Sequence, residues 1–139
     1  YQRHGWGHGM AHFIALVSLR GPVPADYASQ PAPDPAQFGM PSDDDGTRDD
    51  LMLGNMLTVA RYRPDVDALR AASTRIVLAV GAGSDGELAH RGAEAVAALL
   101  GTSPVTFPSD HGGFLGGEYG QQGEPDAFAA KLRDVLTDA

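Results

Sequence analysis

The sequence predicts an α/β fold, on three observations. Arg75-Ile76-Val77-Leu78-Ala79-Val80 is an almost wholly apolar run of strand length, the pattern of a strand buried on both faces. Val105-Thr106-Phe107 is a second short run of β-prone residues. Between them, Glu87 to Leu100 is Ala-rich and reads as a helix. Strand, crossover helix and strand make the parallel α/β unit, and a further helix follows it.

The elements follow in order. Tyr1 to Arg20 reads as a helix with Phe13, Ile14, Leu16 and Val17 apolar near its end, while Gly5, Gly7 and Gly9 weaken its first half. From Gly21 to Gly46, six prolines between Pro22 and Pro41 forbid continuous helix or central strand. Ser42-Asp43-Asp44-Asp45 offers capping oxygens and negative charge to a second helix, expected over Thr47 to Arg61. Pro64 and Asp65 open a short third helix that breaks near Ser73. Past the strand, Gly81 to Gly86 is a turn that Ser84 or Asp85 can cap, and Gly101 is placed to end the helix that follows. Pro125 starts a terminal helix running to Leu136, with Phe128, Leu132 and Val135 expected inward.

Two regions result: residues 1–72, helical, and residues 73–139, the end of a parallel sheet. A parallel pair is normally embedded in a larger sheet. The expectation is therefore a portion of a larger domain, or half of an assembly with a second copy.

Composition narrows the function classes. The 139 residues are 42% hydrophobic, which is too apolar for disorder, and no apolar run approaches the ~20 residues of a membrane helix. The net charge is −8 and no basic cluster appears, so a nucleic-acid partner is not expected. Absence of cysteine excludes disulfides, thiolate metal sites and a thiol nucleophile, and fits a reducing, cytoplasmic setting. Gly 18 and Pro 10 together make about a fifth of the chain against a usual ~12%. The prolines gather in the Gly21 to Pro41 loop, and many of the glycines in two strand-end turns, Gly81 to Gly86 and Gly112 to Gly123.

Those turns carry the chemistry. His111, in Ser109-Asp110-His111-Gly112-Gly113-Phe114, directly follows the second strand, where α/β sheets place their active sites. Imidazole exchanges protons near neutral pH and can act as base and then as acid. Gly81-Ala82-Gly83-Ser84-Asp85-Gly86 has three readings: a tight glycine turn, a dinucleotide fingerprint with Asp110 as its acidic residue, or a nucleophile elbow at Ser84. Asp85 is separately a candidate for the acid that orients His111. His4, His8 and His12 recur at every fourth residue, giving either a metal-binding face or an amphipathic one. The Asp43–Asp45 and Asp49–Asp50 clusters lack a calcium-loop register and read as a solvated cap and helix start.

The stretch from "ALRAASTRIVLAVGAGSDGELAHR" through "FPSDHGGF" to "FAAKLRDVL" resembles the last two strands and terminal helix of α/β-hydrolase fold enzymes of the actinobacterial type. "FGMPSDDDGTRDDLMLGNML" and "RYRPDVDALRAAS" resemble the helical cap of that group. The resemblance implies that residues 1–72 are a cap and residues 73–139 the C-terminal α/β portion. It implies that His111 is the general base, and that the nucleophile and oxyanion hole lie in an N-terminal half outside this chain. The family's acid position falls in the Gly81 to Gly86 turn. Either Asp85 supplies the acid, shifted by one, or the acid comes from elsewhere, or the triad is incomplete. The implied substrate is a small apolar ester or similar acyl compound, with no cofactor. The implied partner is the missing half or a second copy, and the chain alone is expected to be close to inactive.

Overall fold

The computed structural model describes residues 1–137, with Tyr119 described by its backbone alone. Asp138 and Ala139, which close the second sequence region, lie outside the described residues. The fold is mixed helix and strand, with two parallel strands. It divides into two compact units, Tyr1–Pro64 and Asp65–Ala139. The division falls eight residues before the Ala72 boundary drawn from the sequence, so the third helix groups with the second unit.

In the first unit, α1 spans Gly5–Val17 and α2 spans Leu51–Arg61. The buried residues of α1 are Gly5, Gly7, Gly9 and Ala11, while Phe13 to Val17 are half-buried. The glycines expected to weaken this helix are thus its packing face. A Cβ on Gly7 would overlap the Pro41 carbonyl oxygen, and one on Gly9 would come within 3.0 Å of Tyr1 and Leu53. The absence of side chains is what lets the loop backbone lie against the helix.

The α2 helix starts at Asp50, whose Oδ1 accepts the Leu53 amide at 2.7 Å. The expected cap, Ser42 to Asp45, does something else. Asp44 accepts two hydrogen bonds from the Arg48 guanidinium at 2.6 and 2.8 Å and one from the Gly46 amide, while Asp45 accepts from Thr47. Arg48 and, after it, the Gly46 amide hold the Asp44 carboxyl down at about 2. A carboxylate at Asp50 outcompetes the earlier run because the helix begins one residue later, within reach of its first free amides.

In the second unit, α3 (Val66–Ala71) is capped by Asp65, which accepts the Ala68 amide at 3.0 Å. Strand β1 (Ala79–Gly81) pairs in parallel with β2 (Val105–Phe107), Ala79 opposite Val105 and Gly81 opposite Phe107. The crossover is α4 (Leu88–Leu100), which packs on β1 and α3 and ends at Gly101 in the left-handed conformation (φ 75°). The last helix is α5 (Pro125–Thr137). Phe107 of β2 meets Phe128 of α5 with ring centroids 5.0 Å apart, and Phe114 of the intervening loop meets Phe128 at 5.9 Å.

Two expectations are corrected here. The first strand is three residues long, and it is not buried on both faces. Ile76 and Leu78 are half-buried and Val80 is buried, whereas Val77 (37% exposed) and Ala79 are open. Side-chain alternation explains the split: one parity meets covering structure and the other does not. The open parity lines a groove of about 290 Å³ with Leu132, Val135 and Leu136. Leu132, expected inward, is exposed at its edge. Among the described residues, no helix is long and apolar enough to cross a membrane.

Candidate functional site at the strand ends

Because β1 and β2 are parallel and in register, their following loops leave the sheet side by side. They are in backbone contact. A Cβ on Gly81 would stand 2.7 Å from the Asp110 carbonyl, and the Gly83 amide donates to the Ser109 carbonyl at 2.7 Å. Only a residue without a side chain tolerates that approach. On the β2 side, Ser109 takes φ 63°, a left-handed backbone that costs an L-residue roughly 1–2 kcal/mol. Asp110 then closes a tight turn, its carboxylate accepting the Gly112 amide at 2.8 Å and its carbonyl the Gly113 amide at 3.1 Å.

This turn presents His111, which is exposed. Its backbone amide donates to Ser84 Oγ at 2.8 Å, joining the two loops a second time. Ser84, only 2% exposed, is the buried polar side chain of the described residues. The sequence offers Ser84 or Asp85 as the cap of the glycine turn, and Ser84 alternatively as a nucleophile. In the structure α4 has no side-chain cap, and the Glu87 amide is taken by the Ser84 backbone carbonyl at 3.0 Å.

After His111 the chain doubles back on itself. Glu124 donates its amide to Gly113 and Gly123 donates to Leu115, both at 2.9 Å, and Gly116 bridges to Gln122. At the turn between them, the Glu118 carboxylate accepts the Gly116 amide at 2.6 Å. Backbone amides, its own first and then that of Gly116, hold the Glu118 carboxyl below its usual range. The Phe114–Phe128 contact ties this loop to α5.

Asp85, the other sequence candidate, is 85% exposed, and the imidazole beside it is that of His90 rather than His111, with Oδ1 3.9 Å from His90 Nε2. His90, on the first turn of α4, escaped the sequence reading. Its ring is nearly buried, with Nδ1 3.2 Å from the Gly81 carbonyl and Nε2 3.6 Å from Glu94. The only available signal was the four-residue spacing of His90 and Glu94, with Asp85 just upstream. The structure thus brings Ser84 to His111 and Asp85 to His90.

The other motifs resolve more simply. Against Gly81 and Gly83, where a dinucleotide fingerprint would bring a pyrophosphate, lies the backbone of Ser109 and Asp110. His4 and His8 stack edge-on with centroids 5.9 Å apart. Among the described residues, no group of three or more His, Asp or Glu could hold a metal ion. The site is therefore an exposed imidazole on a rigid, glycine-built platform at the carboxyl ends of parallel strands. Such a group can take up and release a proton for a reaction in front of it. Comparison with known protein families, curated proteins and solved structures finds no match for this chain.

Proposed function

We propose that this chain supplies the helical cap and the histidine-bearing C-terminal portion of an α/β-hydrolase that cleaves small apolar esters or similar acyl compounds. The observation that carries the reading is the placement of His111: exposed, just past a parallel strand, on a loop bonded to the preceding strand-end turn. In this reading His111 removes the proton from a nucleophilic hydroxyl as that oxygen attacks the acyl carbon. It then returns the proton to the departing alcohol. The nucleophile comes from an N-terminal half outside this chain. The open groove beside β1 supports such a partner, because an uncovered sheet face and edge favour association. Asp85 is the acid of the reading, and to serve it must turn from His90. The exposed apolar residues Leu51, Leu57 and Val59 of α2 suit a cap over an apolar substrate. A cytoplasmic setting accords with the absence of cysteine.

The test is His111→Ala in the polypeptide that carries the nucleophile, assayed with p-nitrophenyl esters. Loss of general-base catalysis lowers turnover by about 10²–10⁴-fold. Unchanged turnover removes His111 from the mechanism.

The pairing of Asp85 with His90 favours a second reading, a non-catalytic hydrolase relative that acts by binding a partner or small ligand. A serine-directed fluorophosphonate, applied to the chain together with its N-terminal half, separates the two. It labels the enzyme covalently and leaves a binding module unmodified.

A further inference from the structure

We infer that Ser84 is the positioning residue of His111: its buried hydroxyl accepts the His111 amide and fixes the direction in which the imidazole leaves the sheet. The catalytic meaning of this contact rests on the hydrolase reading; the contact itself does not.

The hydroxyl has no other task in its own element. Serine at the end of a strand, ahead of a helix, ordinarily caps that helix, yet α4 has no side-chain cap and the hydroxyl points across to a residue 27 positions later. A hydroxyl withdrawn from water this far needs a partner, and the His111 amide at 2.8 Å is that partner. Around it the loops are locked at backbone distance, by the Gly83 to Ser109 hydrogen bond and by the close approach of Asp110 to Gly81. At the root of the same turn, His90 Nδ1 faces the Gly81 carbonyl at 3.2 Å, where the ring N–H donates and the carbonyl accepts. The turn is therefore held at both ends, and the Ser84 bond passes that rigidity to His111.

The bond reaches the backbone, not the ring. It sets the Cα–Cβ direction of His111 and leaves both ring nitrogens for proton transfer. Chain direction also separates Ser84 from its neighbour: Ser84 is buried toward His111, and Asp85 is turned out toward His90. A neutral hydroxyl suits the buried place, where a carboxylate would lose its hydration.

The experiment is amide hydrogen exchange by NMR on the 139-residue chain. In Ser84→Ala, exchange at the His111 amide accelerates by about tenfold or more, while amides along α4 and β2 keep their rates. Ser84→Thr, which retains the hydroxyl, restores protection. Unchanged exchange at His111 overturns the proposal. So does acceleration shared equally by α4 and β2, which would make Ser84 a general structural residue. If the alanine variant does not fold, Ser84→Cys, close in shape and a weak acceptor, is read in the same way.

A second arm uses the polypeptide that carries the nucleophile. There Ser84→Ala lowers kcat for p-nitrophenyl acetate about tenfold with KM unchanged, the signature of a misaimed base. Full activity in Ser84→Ala beside an inactive His111→Ala overturns the positioning role. Full activity in both removes the hydrolase reading, and the exchange rates then decide on the contact alone.

Discussion

The two units of this chain solve the same problem by opposite means. In Tyr1–Pro64 the tightest packing is backbone on backbone. Gly5, Gly7 and Gly9 turn a bare helix face to the Pro41–Asp44 loop and to Tyr1, and polar side chains fasten the result. Trp6 Nε1 donates to Asp50 at 3.0 Å, the Asp50 amide donates to Tyr1 Oη at 3.0 Å, and Arg48 grips Asp44. From Asp65 onward, packing is conventional. Val80, Ala97 and Phe107 are buried around a parallel strand pair, and a cluster of three phenylalanines ties β2, the His111 loop and α5 together. The lesson is that glycine content has no single meaning. In the first unit glycine is the buried surface itself; in the second it lets two strand-end loops touch beneath a histidine.

The contrast can be broken by substitution. The largest effect is expected at Phe107, where truncation to alanine removes a buried ring from the aromatic cluster. Loss of about 3–5 kcal/mol is expected from urea unfolding followed by circular dichroism. A cost below 1 kcal/mol would show that the cluster does not hold the unit.

Next comes Gly7→Ala. One methyl group, stabilising in an ordinary helix, here drives into the Pro41 carbonyl and costs about 1–3 kcal/mol. Trp6, the chain's single tryptophan, reads the first unit directly by its fluorescence. A neutral or stabilising Gly7→Ala would mean that the helix and loop are not in backbone contact.

Asp50→Ala removes the cap of α2 and the acceptor of the Trp6 indole together, at about 1–2 kcal/mol. Trp6 emission should shift to the red in this variant. An unshifted spectrum would place the indole elsewhere.

The smallest effect is electrostatic. The Asp44 carboxyl is depressed in the folded chain from 3.8 to about 2, so its contribution is complete above about pH 4. It is lost as the pH falls through about 2, because protonation ends the attraction to Arg48. An acid titration followed by Trp6 fluorescence should show this step between pH 4 and 2, and Asp44→Asn should lack it. A transition of equal size in the variant would assign it to another carboxylate.

How much of this was legible depended on how local the cause was. The β2 strand, the opening of α3 at Pro64 and Asp65, the Gly101 terminus and the α5 start at Pro125 lie at or near the places the sequence indicates. Each depends on a few adjacent residues: a β-branched run, an Asx oxygen, a left-handed glycine, a proline at the first helical position. The Arg75–Val80 run reads as a whole strand, but the strand proper starts at Ala79, preceded by a single cross-strand hydrogen bond from the Val105 amide to the Leu78 carbonyl. An apolar run indicates what favours burial, not how much covering structure is present. The cap expected at Ser42 to Asp45 lies at Asp50 instead, because seven acidic or hydroxyl residues compete within nine positions, and the helix start decides between them.

At the candidate site, His111 was legible from its position after a strand, while its environment was not. The sequence read Asp85 as the acid candidate beside His111, and the structure places Ser84 there and Asp85 beside His90. Adjacent residues at the end of a tight turn point in different directions, so a shift of one position changes the partner.

By itself, then, the sequence determined the helices of the second unit, the parallel strand–helix–strand order and the glycine-rich loop that carries His111. All of these follow from propensity, periodicity and backbone stereochemistry over a few residues. Only the tertiary structure decided that the glycines of α1 are a buried face, that one side of β1 is open, and that a serine hydroxyl 27 residues away holds the His111 amide. Those outcomes depend on which surfaces meet at a few ångströms, and spacing along the chain carries no record of that distance.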